Sequence, residues 1–112
     1  MESILTSIKK LLGITKECTD FDSDIIMHIN TVFMTLNQLG VGPERGFRIE
    51  DDMATWKDYM LDAENLDAVK SYIHLKVKLL FDPPLNSSVI QAIQQSISEL
   101  EWRLNIQVDT NK

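Results

Sequence analysis

The stretch NLDAVKSYIHLKVKLLFDPP, residues 65–84, predicts the element on which the rest of the fold depends. Its apolar residues recur every three or four positions, as on one face of a helix. The stripe consists of Leu66, Val69, Ile73, Val77 and Leu80, and is widened by Tyr72, Leu75 and Leu79. At about 100° per residue this arc covers more than half of the circumference, which is typical of a helix covered on two sides. Pro83 and Pro84 end the helix after Phe81, because proline cannot continue it.

Three further helices are predicted around this central one. The first covers residues 3–12; the second begins at a cap formed by Thr19 or Asp22 and ends at the step from Leu39 to Gly40. The last covers residues 87–106. Each has an apolar stripe at helical spacing, which in the last helix is Val89, Ile90, Ile93, Ile97, Leu100 and Leu104. We therefore predict an all-α fold, a four-helix bundle with a loop and short β insert at residues 40–64, between helices 2 and 3.

Composition sets the broad class. The chain has 112 residues, 44% of them hydrophobic, which suits one folded domain. We expect residues 1–106 to form it and residues 107–112 to be a flexible C-terminal tail. The single cysteine, Cys18, excludes an internal disulfide, and no apolar run approaches membrane-spanning length. A cytosolic site of synthesis and no membrane partner are expected.

Charge argues against binding to nucleic acid. The net charge is −6, and residues 44–67 carry most of it, with three basic and eight acidic side chains. Such a chain would repel DNA phosphates weakly rather than grip them. A DNA-binding transcription factor is disfavoured further because the sequence lacks a basic recognition helix.

The insert contains the sequence GVGPERGFRIEDD, residues 40–52, in which a polar loop carries two large apolar residues. Phe47 and Ile49 alternate with Arg48, as residues of a short strand do. A three-residue strand needs a partner, either elsewhere in the insert or in a neighbouring molecule. The alternative is that both side chains pin the loop to the core.

Three apolar residues lie off the predicted stripes. Trp102 projects opposite the stripe of the last helix, with Ile106 one turn further on, and Met27 and Met34 lie seven apart on helix 2. Trp102 is either covered by another part of the chain or an anchor for a partner protein. The methionines either fill gaps in the core or share such a surface.

No catalytic, cofactor or metal site is predicted. Asp20, Asp22 and Asp24 copy the start of a calcium loop but lack its glycine and closing glutamate, and the helix dipole explains them better. His28 and His74 have no companions at metal-ligand spacing. We expect that the chain is not an enzyme.

Six stretches in order resemble one family, the head–tail connector (head-completion or adaptor) proteins of tailed bacteriophages, in the version carried by phages of Gram-positive bacteria. They are LTSIKKLLGI (5–14), DIIMHIN (24–30), LNQLGVGP (36–43), TWKDY (55–59), VKSYIHLKVKLLFDPP (69–84) and LEWRLN (100–105). The resemblance implies a non-enzymatic, helical protein of the virion neck, made in the host cytoplasm. It also implies a ring of about twelve copies beneath the portal protein. That ring would join head to tail, contact the next neck or tail-completion protein, and let DNA pass through without specific binding.

The residues that do not fit a simple bundle become interface candidates in that setting. We expect Phe47, Arg48, Ile49 and Trp56 of the insert to touch one neighbour. Met27, Met34, Trp102 and Ile106 would line a receiving surface or the portal contact, and Glu50, Asp51 and Asp52 would face the DNA channel. The alternative function is a small cytosolic helical regulator that binds one partner protein.

Overall fold

The computed structural model of the chain describes residues 2–59 and 65–110, and the regular secondary structure in that part is α-helix. The helices are α1 (Ile4–Leu11), α2 (Asp22–Gln38), α3 (Trp56–Tyr59), α4 (Leu66–Phe81) and α5 (Ser87–Thr110). The predicted all-α architecture is therefore confirmed, with a one-turn helix, α3, that the sequence did not reveal. None of these helices is both long and apolar enough to cross a membrane.

Helix α4 is the centre of the fold, as its wide apolar arc predicted. It packs against α1, α2 and α5. Its buried residues Val69, Tyr72, Ile73 and Val77 meet those of α2 on one side and Ile97 and Leu104 of α5 on another. The buried faces of α2 and α5 are thus both directed at α4, and their opposite faces point away from the molecule.

The ends of the helices differ in how their terminal backbone groups are capped. The Ser3 side chain caps α1 by accepting a hydrogen bond from the Thr6 amide, at 3.2 Å. Helix α2 begins at Asp22 after Phe21, which makes no side-chain capping bond, so the predicted cap by Thr19 or Asp22 is wrong. Asp22 instead binds Lys9. Helix α5 continues to Thr110, four residues past the predicted end.

The insert does not form a strand among the described residues, so the predicted β element is wrong. Its only ladder contact there is a single antiparallel bridge between Thr55 and Ser3 at the N-terminus. The Ile4 amide donates to the Ala54 carbonyl at 2.9 Å. Phe47 and Ile49 do turn inward, whereas Arg48 is exposed. The alternation of apolar and polar residues at 47–49 therefore predicted the directions of the side chains correctly, but these residues do not pair as a strand.

Two glycines outside the helices have positive φ angles, which turns of this kind require. Gly13 follows α1 with φ of 81°, and Gly42 in the insert has φ of 88°. A Cβ atom on Gly42 would lie 2.7 Å from the Tyr59 ring, whereas one on Gly13 would meet nothing within 4 Å. The insert therefore approaches α3 so closely at Gly42 that only glycine fits.

Candidate protein-interaction surfaces

A groove on the outer face of α2 brings four of the predicted interface residues together. Met27 and Met34 are 57% and 66% exposed and project away from the buried face of the helix. Phe47 and Arg48 of the insert form the facing wall, and the space between is about 610 Å³. The complete lining is Ser23, Ile26, Met27, Asn30, Thr31, Met34, Arg45, Gly46, Phe47 and Arg48. We call it the α2 groove.

The wall of the α2 groove is fixed by side chains beneath it. Phe47 stacks edge-on against Phe33 and Tyr59, with ring centroids 5.3 Å apart in each case. Asn30 donates to the Ile49 carbonyl at 2.9 Å and accepts from the Ile49 amide at 2.7 Å. These contacts tie the insert to α2 at both its apolar and its polar groups.

The charge on the groove is positive. Arg45 and Arg48 are exposed at its wall, and neither forms an ion pair with any residue in the described part of the chain. An exposed guanidinium without a partner is available to a carboxylate of another molecule. The α2 groove thus combines an apolar floor of methionine with two unpaired arginines.

Two other candidates of the insert lie inside the molecule. Ile49 and Trp56 are buried in the core, and the Trp56 indole donates to the Ser7 hydroxyl at 2.9 Å while the Lys70 ammonium lies 5.4 Å from its ring centroid. A side chain that contacts no solvent offers no surface to a neighbour. Both residues act here as core residues that position the insert, so we do not assign them to an intersubunit contact.

A second exposed apolar surface lies on α5. Trp102 is 66% exposed and Ile106 is 42% exposed, one turn apart on the face opposite the buried Ile97 and Leu104. Neither α1 nor the described part of the insert covers Trp102. We call Trp102, Ile106 and the exposed Glu99, which lies one turn before Trp102, the α5 patch.

The three acidic residues predicted to face the channel come directly after the insert residues that line the α2 groove. Glu50, Asp51 and Asp52 are all exposed, and the Asp51 carboxylate accepts a hydrogen bond from the Met53 amide at 2.9 Å. This bond orders a local turn that presents the carboxylates to solvent. The turn repels polyanions by its charge.

Titratable groups with perturbed pKa values lie in the core rather than in either surface. Burial raises the pKa of Tyr59 and of Tyr72, and in Tyr72 a hydrogen bond to the Glu101 carboxylate adds to the effect. Burial lowers the pKa of His74, as does the nearby Lys78, while a hydrogen bond to the backbone of Leu11 opposes the shift. These groups do not converge on a cavity, so their perturbation reflects packing.

Asp22, the first residue of α2, has a structural use. The buried Lys9 ammonium lies 2.8 Å from Asp22 Oδ1 and donates to the carbonyls of Lys16 and Cys18 at 3.2 and 2.6 Å. No group of three or more His, Cys, Asp or Glu residues among those described is placed to hold a metal ion. The lysine therefore joins α1, the following loop and α2.

Sequence reasoning missed three of these polar contacts. Lys9 lies on the buried face of α1, one residue after Ile8. A lysine at a buried helix position indicates that its ammonium needs partners, and this was the sign from which the contact could have been predicted. Asn30 lies one residue after the buried Ile29, beside the floor of the groove, but its partner is 19 positions away in the insert. The Tyr72 hydroxyl donates to Glu101 at 2.6 Å, and no local spacing indicates a pair 29 residues apart.

Comparison with known proteins identifies the family of the chain. A model of the family described as phage connector protein matches residues 4–111, which is nearly the whole chain. No curated protein and no solved structure matches it. Since the match covers α1 through α5 and the insert between α2 and α4, the chain belongs to the phage connector protein family, a family of structural proteins of the virion neck.

Proposed function

We propose that the chain forms a ring beneath the portal protein of a tailed phage, joins the head to the tail, and extends the channel through which DNA leaves. About twelve copies would form the ring, following the family resemblance. The portal lies on one side, and the next neck or tail-completion protein lies on the other. The chain carries no cofactor and catalyses no reaction in this role.

The observation that carries the proposal is the outward placement of large apolar side chains on both flanking helices. Met27 and Met34 on α2, and Trp102 and Ile106 on α5, are exposed although the core of the same chain is well filled. Clustered exposed apolar residues mark protein interfaces. A closed ring requires two different surfaces per subunit, and the α2 groove and the α5 patch are two such surfaces.

The acidic turn at residues 50–52 supports a location of this segment beside DNA that slides through the channel. Glu50, Asp51 and Asp52 are exposed and lie in the segment with the highest negative charge. Facing the channel, they would repel phosphates and prevent binding. Neutralising all three with Asn and Gln should leave the fold and assembly unchanged, but slow DNA ejection and give salt-sensitive retention of the protein on immobilised DNA.

Co-expression with the portal protein of the same phage tests the proposal directly. We expect the two proteins to co-purify, and electron microscopy to show a second ring below the portal. A chain that neither co-purifies with portal nor is found in purified virions would contradict the proposal. In that case the α2 groove would belong to a regulator that binds one helix of a cytosolic partner.

A further inference from the structure

The α2 groove and the α5 patch are two separate surfaces of the subunit, on different helices. Met27 and Met34 project opposite the buried Ile25 and Ile29 of α2. Trp102 projects opposite the buried face of α5. Since both buried faces are directed at the central α4, the two outer faces are separate and both point away from the core. Two different surfaces on one subunit suit a head-to-tail contact, in which each copy uses one surface on each neighbour.

The two surfaces also match in shape. The α2 groove is concave, about 610 Å³, with a floor of methionine, whereas the α5 patch is a ridge on a helix with a tryptophan at its centre. Methionine is unbranched and polarisable, so it adapts to an aromatic ring and makes favourable sulfur–aromatic contacts. Trp and Arg are the residues most enriched among side chains that dominate binding.

Their charges are complementary. Arg45 and Arg48 at the groove have no ion-pair partner among the described residues, and Glu99 is exposed one turn from Trp102. Arg103 lies one turn after Glu99 and one turn before Ile106, so it borders the patch, and it forms no ion pair with Glu99 in the described part of the chain. Glu101 is already bound to Tyr72. Among the α5 side chains that the structure describes, Glu99 is therefore the carboxylate without a partner and can meet the arginines.

We infer that the α5 patch of one copy occupies the α2 groove of the next copy, with Trp102 and Ile106 against Met27 and Met34, and Glu99 facing Arg48. The inference rests on the proposed ring and names the contact that closes it. The occupant of the groove is thus a second copy of this chain. Binding of the groove to the portal protein is the competing outcome.

Two variants that each lose one surface test the contact. Trp102→Lys removes the ridge and leaves the groove, whereas Met34→Lys removes the groove and leaves the ridge. Leu85→Lys is the matched control, because Leu85 is a fully exposed apolar residue outside both surfaces. All three should keep the circular dichroism and melting temperature of the wild type, since none of the replaced side chains is buried.

Analytical ultracentrifugation up to about 1 mM protein then separates the outcomes. The wild type and Leu85→Lys should form species larger than a dimer, and each surface variant alone should stay monomeric. An equimolar mixture of the two surface variants has one intact contact. It should therefore form a heterodimer of twice the 12.8 kDa chain and nothing larger. A mixture that stays monomeric, a surface variant that assembles alone, or a wild type that stays monomeric would each overturn the inference.

A charge exchange tests the polar part of the contact. Glu99→Arg and Arg48→Glu should each raise the dissociation constant about tenfold or more, because each places like charges together. Combined in one chain, they should restore it to within about threefold of the wild type. A double variant that binds as weakly as the worse single variant would show that these two residues do not meet.

The portal experiment separates failure of this contact from failure of the proposed function. Rings that still form on the portal with Trp102→Lys would overturn the contact but keep the neck function. A monomeric wild type whose portal binding is lost in Met34→Lys would assign the groove to the portal instead, which also overturns the inference. Absence of both self-association and portal binding would defeat both proposals.

Discussion

Two buried tyrosines of this chain differ in what their hydroxyl groups contact. The Tyr72 hydroxyl donates to the Glu101 carboxylate at 2.6 Å and so joins α4 to α5. The Tyr59 hydroxyl is buried against the insert and finds no hydrogen-bond partner among the described residues. A buried polar group without a partner costs free energy, whereas a satisfied one is close to neutral or stabilising.

Removing each hydroxyl should therefore shift stability in opposite directions. Tyr72→Phe should lower the free energy of unfolding by about 1 kcal/mol, because Glu101 loses its donor, and Tyr59→Phe should raise it by up to about 1 kcal/mol. Urea denaturation of the two variants beside the wild type measures both changes. Equal losses in the two variants would mean that the Tyr59 hydroxyl has a partner in solution.

His74 should make stability depend on pH. Its pKa is lowered in the folded chain, chiefly by burial and then by Lys78, so the unfolded chain binds the proton more readily. The contribution of His74 to stability is present above its unfolded pKa of about 6.5 and is lost as pH falls from there through the lower folded value.

Urea denaturation between about pH 5 and pH 7.5 measures this dependence. His74→Gln should flatten the curve in that window, and Lys78→Gln should reduce its slope, because the repulsion that disfavours the imidazolium is removed. Parallel curves for the wild type and His74→Gln would show that other groups cause the loss.

At the scale of elements, the insert is as much a part of the core as the helices are. Ile49, Trp56 and Tyr59 are buried, and the Phe33, Phe47 and Tyr59 rings form one cluster that holds it against α2. Gly42 allows the insert to pass directly over Tyr59. The segment is therefore held by side-chain packing rather than by strand pairing.

Two glycine replacements separate backbone strain from steric exclusion. Gly13→Ala and Gly42→Ala both force a residue with a Cβ into positive φ, which costs about 1–2 kcal/mol. Gly42→Ala additionally places the Cβ 2.7 Å from the buried Tyr59 ring, so it should cost at least about 1 kcal/mol more. Thermal denaturation of both variants gives the difference, and equal losses would show that the insert can lift from α3.

The helices could be predicted from the sequence, and the insert could not, for a physical reason. Apolar spacing in α1, α2, α4 and α5 is a local signal, and the bounds of α4 agree within one residue. The insert is defined by contacts between distant positions, such as Asn30 with Ile49 and Ser7 with Trp56. Alternation at Phe47 and Ile49 indicates a buried side of the chain, but it does not say which element covers it.

The candidate surfaces were partly predictable for the same reason. Met27, Met34 and Trp102 could be recognised because they lie opposite the apolar stripe of their own helix. Trp56 was predicted to touch a neighbour but is buried, because a tryptophan in an acidic segment gives no local sign of the distant residues that cover it. The partnership of Phe47 and Arg48 with α2 in one groove required the tertiary structure.

At the scale of the whole molecule, the two tryptophans report on different states. Trp56 is buried in the monomer, whereas Trp102 is exposed on the surface that we propose to be covered on assembly. Indole fluorescence therefore distinguishes folding from association without any added label.

Iodide quenching should make this difference visible. In the monomer, Trp102→Phe should remove most of the quenchable emission and shift the remainder to shorter wavelength, since Trp56 is shielded. On assembly of the wild type, quenching should fall to the level of Trp102→Phe. If quenching persisted in assembled rings, Trp102 would lie outside every contact.

The buried ammonium of Lys9 has a consequence for chemical labelling. Its nitrogen is enclosed by two carbonyls and Asp22 and is almost inaccessible to reagents, unlike the exposed neighbour Lys10. Amine-reactive esters followed by mass spectrometry should modify Lys10 rapidly and Lys9 only when α1 separates from the loop after it. The ratio of the two labels thus measures how often the N-terminal helix detaches, in the free chain and inside a virion alike.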